Sequence, residues 1–221
     1  QRALDAVRAV HAEFGLERHE TGETEGEHID LVLLGVGQIG RRLIELVGDR
    51  RDEMAERFGL IPRFVGLVDR SGFVLRPDGL TEDEMSAAVF LKVRGGTLDS
   101  LGNGRQASID DAVTAALRFR LQNPIVIDVT DRAENAPTLT AALRSGSDVV
   151  SANKGPLAQD LSGFEALTQP FGASLFRAEA TVGAGLPVLD TLDILRSAGD
   201  TVHRIEGCFS GTLGFVCDRL G

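Results

Sequence analysis

The chain has 221 residues and a formal net charge of −10, with 43% hydrophobic and 25% charged residues. This is the composition of an ordinary globular chain, long enough for one large domain or a domain and a half and able to bury roughly 70% of its unfolded surface. With no Lys/Arg cluster to offset the charge, no apolar run of about 18 residues and no Trp or Tyr, it is expected to bind neither nucleic acid nor a membrane.

Residues 3–14 place Leu4, Val7, Val10 and Phe14 near helical spacing and predict a short amphipathic helix. Residues 17–28 hold five Glu, two Gly and no aliphatic residue, the composition of a solvated linker. His11, His19 and His28 fall in or beside it and are expected to be solvated rather than metal-bound. The pattern then changes. Residues 29–34 (IDLVLL) form a nearly continuous apolar run, suited to a strand buried on both faces. The glycine loop GVGQIG follows at once, and then a helical pattern carrying Ile39, Leu43, Leu46 and Val47. A second strand is predicted at 64–68, closed by Asp69. Residues 71–105 are mixed, with a helix near 81–91, and a further helix is predicted at 108–118. A third strand at 125–129, a helix at 134–145 and a fourth strand at 148–151 complete the alternation, which predicts a parallel sheet with helices on both faces.

After about residue 156 the texture shifts. Helices are expected near 160–169 and 188–198, strands at 174–179 and 202–209, and a helix opening at SGTLGFVCDRL. The expected architecture is α/β: a Rossmann-type, mostly parallel sheet, then part of an α+β substrate and dimerisation domain. The expected divisions are 1–28 for the N-terminal helix and linker, 29–156 for the nucleotide domain and 157–221 for the second segment. The sequence starts at Gln1 rather than Met and stops in an uncapped helical pattern, so a longer parent chain is expected. The N-terminus lacks the apolar core of a signal peptide. Cys208 and Cys217 make no metal spacing and are expected to be core or semi-buried thiols of a reduced, cytoplasmic protein.

The glycine loop carries the first functional signal. Gly35, Gly37 and Gly40 make G-x-G-x-x-G between a strand and a helix, with Val36, Gln38 and Ile39 as the intervening positions. Gly35 permits the tight turn, Gly37 clears the approach of a diphosphate, and Gly40 lets the helix lie close to the sheet. The helix N-terminus then offers amides and a partial positive charge. Asp69 ends the second strand, where a carboxylate can accept the ribose hydroxyls of NAD. It lies later after the loop than is usual, and a longer first helix would absorb the difference. Arg70 and Ser71 can instead hold the 2′-phosphate of NADP, so either cofactor is compatible.

Three later segments narrow the reading: Asp128-Val129-Thr130; Ser151-Ala152-Asn153-Lys154; and EATVGAGLP from Glu179 to Pro187, followed by Gly199-Asp200 and EGCFSGTL from Glu206 to Leu213. In order and spacing these resemble homoserine dehydrogenases over roughly residues 29–221. Residues 2–18 resemble the segment that joins a regulatory domain to the dehydrogenase in bifunctional aspartokinase–homoserine dehydrogenases. The resemblance implies reversible NAD(P)-dependent hydride transfer between aspartate 4-semialdehyde and homoserine, in the biosynthesis of threonine, methionine and isoleucine. It implies that Thr130 contacts the cofactor near the nicotinamide ribose and that Lys154 is catalytic, holding cofactor or substrate and polarising the carbonyl. It also implies a sodium-type monovalent cation on the Glu179 carboxylate and the carbonyls of Val182, Ala184 and Leu186, and pairing as a homodimer or higher homo-oligomer. The family's acidic substrate ligands and second catalytic lysine lie on a segment after the SGT helix. The 221 residues are therefore expected to turn over poorly by themselves. The competing readings are another NAD(P)-dependent oxidoreductase such as an aspartate dehydrogenase, and a non-catalytic dinucleotide-binding or dimerisation module.

Overall fold

A computed structural model describes residues 26–169, 171–183, 185–207 and 210–220, and in it the apolar run ahead of the glycine loop becomes the central strand. That strand, β1 (Glu27–Leu34), pairs in parallel with β2 (Leu60–Asp69) on one side and β4 (Ile125–Asp128) on the other. The full order is β3-β2-β1-β4-β5-β6, with β3 Gly72–Leu75, β5 Asp148–Ser151 and β6 Phe176–Arg177. Alternation along β1 shows why two faces are covered. Val32 and Leu34 enter one apolar cluster, and Leu31 and Leu33 enter another across the sheet. Val32, Leu33 and Leu34 are fully buried, each burial contributing roughly 1.5–3 kcal/mol.

On β2 the two clusters take Val65 and Val68 on one face and Phe64 and Leu67 on the other, a parity that a regular strand cannot give. The register explains it. Leu31 faces Phe64 but Val32 faces Gly66, so β2 carries one extra residue.

The helices follow local signals. α1 (Gln38–Asp49) opens at the glycine loop, and α2 (Arg51–Phe58) ends at Gly59 in the left-handed region. Together they absorb the long spacing between Gly40 and Asp69. α3 (Glu82–Val93) begins with a capping box: Thr81 accepts from the Glu84 amide and the Glu84 carboxylate accepts from the Thr81 amide. α4 (Ile109–Leu117) is capped by Ser108, and α6 (Leu161–Thr168) by Asp160. α5 (Ala136–Arg144) has proline in its first turn. α7 (Val188–Ser197) and α8 (Gly211–Leu220) contain no buried residue among those described.

Several expectations need correction. β1 begins at Glu27, so His28 is a strand residue and not a linker residue; its Nδ1 is buried with no hydrogen-bond partner among the described residues. A strand was not foreseen at 72–75. Arg70 and Ser71 turn β2 straight back into β3, which pairs antiparallel with β2. The strand expected at 174–179 shrinks to Phe176–Arg177, still parallel to β5, so the sheet continues past residue 156. No strand forms over 202–207: these residues are all exposed and have no ladder partner among the described residues. Cys217 is exposed, on the helix α8, in which no described residue is buried. Cys208, Ala184 and the helix expected at 3–14 lie outside the described residues. None of the described helices is long and apolar enough to cross a membrane.

Candidate functional site

Four chain segments reach the carboxyl edge of the sheet side by side. The Gly35 amide donates to the Val68 carbonyl at 2.7 Å, Val129 to Leu34 at 3.0 Å, and Ala152 to Asp128 at 2.8 Å. These bonds carry the ladder one step beyond each strand and fix where the following residues emerge. β1 and β4 are neighbours here although far apart in sequence, the switch point at which open α/β sheets form a crevice.

The loop over 35–40 imposes a steric demand at two of its glycines and leaves the third open. Gly35 has φ of +100°, which L side chains rarely adopt. A Cβ on Gly40 would overlap the Gly35 carbonyl oxygen, so only glycine lets α1 start against the turn. A Cβ on Gly37 would meet nothing within 4 Å, so that position faces open space. Gly37 is also the N-cap of α1, with no side-chain cap among the described residues. The first amides of the helix are left for an anionic group, in the favourable field of the helix end. Val36 is buried in the core, while Gln38 and Ile39 are exposed beside the loop. A dinucleotide diphosphate fits this cradle in charge and in clearance.

At the end of β2, Asp69 is engaged from two sides. Its Oδ1 accepts from the Ser71 amide at 2.7 Å and the Ser71 hydroxyl at 2.5 Å, and its Oδ2 pairs with Lys92 Nζ at 2.7 Å. Ser71 Oγ also accepts from the Leu98 amide at 3.0 Å. A carboxylate offers about four acceptor sites, so the ribose hydroxyls of NAD would have to compete for Asp69. Lys92 was not singled out in the sequence. It reaches Asp69 only because α3 folds back over β2 and β3, and no local pattern signals that. Arg70 stands exposed next to this pair and lines a 130 Å³ cleft with Ser108, Arg132 and Asn135.

Between β4 and β5 lies a buried polar knot. Asp128 is 0% exposed. Its Oδ1 accepts from the Thr130 amide at 2.9 Å and the Thr130 hydroxyl at 2.7 Å. Its Oδ2 accepts from Asn135 Nδ2 at 3.1 Å and Asn153 Nδ2 at 3.0 Å. Asn153 is tied at both ends: Nδ2 also donates to the Arg132 carbonyl at 2.8 Å, and Oδ1 accepts from the Gly155 amide at 3.0 Å. Lys154, between Asn153 and Gly155, thus rises from a fixed backbone with its side chain exposed at the rim. The Thr130 hydroxyl is itself a knot member and also accepts from Asn135 at 3.0 Å. Asn135 had no sequence signal of its own; its role depends on the turn into α5.

Farther along, the two oxygens of Glu179 accept from the Leu189 amide at 3.1 Å and the Asp190 amide at 2.8 Å, satisfying the first turn of α7. The Leu186 carbonyl accepts from the Val188 amide at 2.9 Å, and the Val182 amide donates to Glu179. No group of three or more His, Cys, Asp or Glu gathers for a metal among the described residues.

Residues 35–177, from the first glycine of the loop to the last residue of β6, match the family model described as the NAD-binding domain of homoserine dehydrogenase. The chain belongs to the homoserine dehydrogenase family. The bifunctional aspartokinase/homoserine dehydrogenase of Haemophilus influenzae is 29% identical over 99% of this chain and 25% of its own length. The homoserine dehydrogenase of Emericella nidulans is 32% identical over 85% of this chain and 49% of its own. The chain therefore spans between a quarter and a half of these relatives. In three dimensions the fold is shared with a hyperthermophilic archaeal homoserine dehydrogenase solved in complex with NADPH, at a TM-score of 0.59 and 24% identity, covering 75% of this chain and 48% of that one. The Rossmann-type reading of the fold is thereby borne out, and the region that builds the cradle, the Asp69 turn and the Asp128 knot is the family's NAD-binding domain.

Proposed function

We propose that these residues form the NADP(H)-binding half of a homoserine dehydrogenase that interconverts aspartate 4-semialdehyde and homoserine. The observation that carries the reading is the shared edge: an open, uncapped helix mouth at Gly37 and a rigidly mounted Lys154 stand on the same side of one sheet. The sheet order supports one orientation. The diphosphate rests at β1 and α1, the adenosine end reaches β2 with Asp69, Arg70 and Lys92, and the reactive end reaches β4 and β5. The dinucleotide supplies or accepts the hydride. The chain's own residues hold the diphosphate on the α1 amides, keep Thr130 beside the reactive end and place the Lys154 ammonium where the substrate oxygen gathers charge. Replacing Gly37 with valine tests this. The open surroundings predict unchanged folding, and the added side chain predicts a loss of NADPH affinity of about 100-fold by titration, as when a backbone approach is blocked. Equal affinity in the variant would reject the cradle.

NADP rather than NAD is the preferred partner in this proposal, because Lys92 occupies the Asp69 carboxylate and adds positive charge where a 2′-phosphate would sit. A Lys92→Ala variant is expected to weaken NADPH about tenfold, the scale of one charge-assisted contact, and to leave NADH unchanged or tighter. Parallel titrations with the two cofactors decide it, and equal losses for both would count against the assignment. A monovalent cation on Glu179 and the carbonyls of Val182, Ala184 and Leu186 is a subsidiary part of the proposal. It is supported by the all-oxygen donor set, and each Glu179 oxygen, which accepts one α7 amide, keeps a lone pair for the ion. Homo-oligomerisation through the exposed apolar sides of α7 and α8 and a cytoplasmic location belong to the same reading.

A further inference from the structure

The bonds of the Thr130 hydroxyl can be counted against what a hydroxyl has to give. It carries one proton to donate and two lone pairs that accept. The proton goes to Asp128 Oδ1 at 2.7 Å. Three N–H groups converge on the lone pairs: Asn135 Nδ2 at 3.0 Å, Asn153 Nδ2 at 3.1 Å and the Arg132 amide at 3.3 Å. The protein itself therefore saturates this oxygen and leaves it no bond for a ribose or a nicotinamide. The methyl of the same residue is turned to the glycine loop. A Cβ built on Gly35 would lie 3.1 Å from Thr130 Cγ2, so the methyl packs close beside that turn.

We infer that Thr130 is a positioning residue for Lys154, acting through the Asn153 side chain that its hydroxyl holds, and that this hydroxyl makes no hydrogen bond to the cofactor. The inference rests on the dehydrogenase reading only in giving Lys154 a task. Asn153 is 2% exposed, and its amide group spans the space between the two loops. Its Nδ2 end meets Thr130, Asp128 and the Arg132 carbonyl, and its Oδ1 end accepts the Gly155 amide at 3.0 Å. The group is planar and rigid, so a shift at Nδ2 is passed to Gly155, and Lys154 stands between the two. Valine at position 130 keeps the methyl beside Gly35 and puts a second methyl where the oxygen was. A carbon there needs about 3.5 Å of clearance, so the Asn135 and Asn153 nitrogens must each retreat by about half an ångström. Misplacement on the scale of an ångström costs a reaction about 100-fold, so a shift of half that size reaches the rate. Serine keeps the oxygen and both asparagine contacts.

Thr130→Val and Thr130→Ser test the inference on the 221-residue chain through amide exchange, NADPH titration and turnover. Exchange at Gly155 is expected to rise about tenfold relative to Leu33, a buried residue of the central strand, in the valine variant and less than about twofold in the serine variant. NADPH affinity is expected to stay within about threefold in the valine variant. With aspartate 4-semialdehyde at saturating NADPH, valine is expected to lower kcat about tenfold and serine to recover most of that loss. Beside Lys154→Met the valine change is expected to cost less than about twofold, because residues that act as one unit do not add. A valine variant that loses NADPH affinity about tenfold, with serine restoring it, would make the hydroxyl a cofactor ligand and overturn the inference. So would a rise in exchange shared equally by Leu33, or the same kcat loss with and without Lys154. A protein that binds NADPH and leaves aspartate 4-semialdehyde unreduced would fail the dehydrogenase reading, and the exchange and affinity results would still decide what the hydroxyl holds.

Discussion

An Asp128→Asn variant is expected to unfold with its stability lowered by about 3 kcal/mol, the scale of a broken buried hydrogen-bond network. The substitution keeps the shape and reverses half of the chemistry. Asp128 receives four donors: the Thr130 amide and hydroxyl on one oxygen, and the amide nitrogens of Asn135 and Asn153 on the other. An asparagine must place its own NH2 against one of those pairs. Either the Thr130 turn or the two asparagine side chains then lose their acceptor, with no water at hand because the side chain is fully buried. Denaturant unfolding should show a lower midpoint with an unchanged slope, since the same surface is exposed. Asp83→Asn, in the exposed first turn of α3, is the comparison and should change stability by less than about 0.5 kcal/mol. A midpoint for Asp128→Asn equal to that of Asp83→Asn would show that the knot is not under tension from its donors. The same variant should also lower turnover, because Asn153 is the anchor on which Lys154 stands.

Local chemistry was legible in the sequence, and long-range closure was not. Residues 29–34 were readable as a doubly buried strand because both faces of β1 are covered, which removes alternation and leaves a run of apolar residues. The loop over 35–40 was readable because Gly35 and Gly40 each answer a separate steric demand at a strand-to-helix turn. By contrast, β3 was missed. Its four residues are too few for a period, and it exists only because Arg70 and Ser71 turn β2 back on itself. Over 202–207, the described part of the strand expected at 202–209, no strand forms for the opposite reason. Its composition suits a strand, but nothing in the described chain pairs with it, and an extended segment without a partner forms no ladder. The site divides in the same way. Gly37, Asp69, Thr130 and Lys154 sit at strand ends that the pattern locates. Lys92 and Asn135 join them through packing between elements, Lys92 from 23 positions after Asp69 and Asn135 from the turn into α5. The bulge at Val65 was likewise invisible, since one extra residue alters no local preference yet decides which face Leu67 takes.

On the proposed function, Lys154→Met is expected to lower kcat by about 100- to 1,000-fold, as loss of a single preorganised donor to a developing oxyanion does. The backbone argument says why the loss should fall on rate and not on folding. Lys154 is exposed, and the bonds that fix its position are made by Asn153 and by the Gly155 amide, both of which survive the change. Methionine keeps the length of the stem and removes only the ammonium. NADPH affinity should therefore change by less than about threefold, because in the proposed binding mode the diphosphate rests on the α1 amides and not on Lys154. Arginine restores charge but spreads it over a larger plane, so Lys154→Arg should recover only part of the rate. The alternative assignment makes Lys154 a cofactor anchor. In that case the methionine variant would lose NADPH affinity in step with turnover, and saturating cofactor would rescue kcat. Steady-state rates with aspartate 4-semialdehyde at saturating NADPH, set beside direct cofactor titration, separate the two, since a group acting on the substrate oxygen cannot be replaced by filling the cofactor cleft.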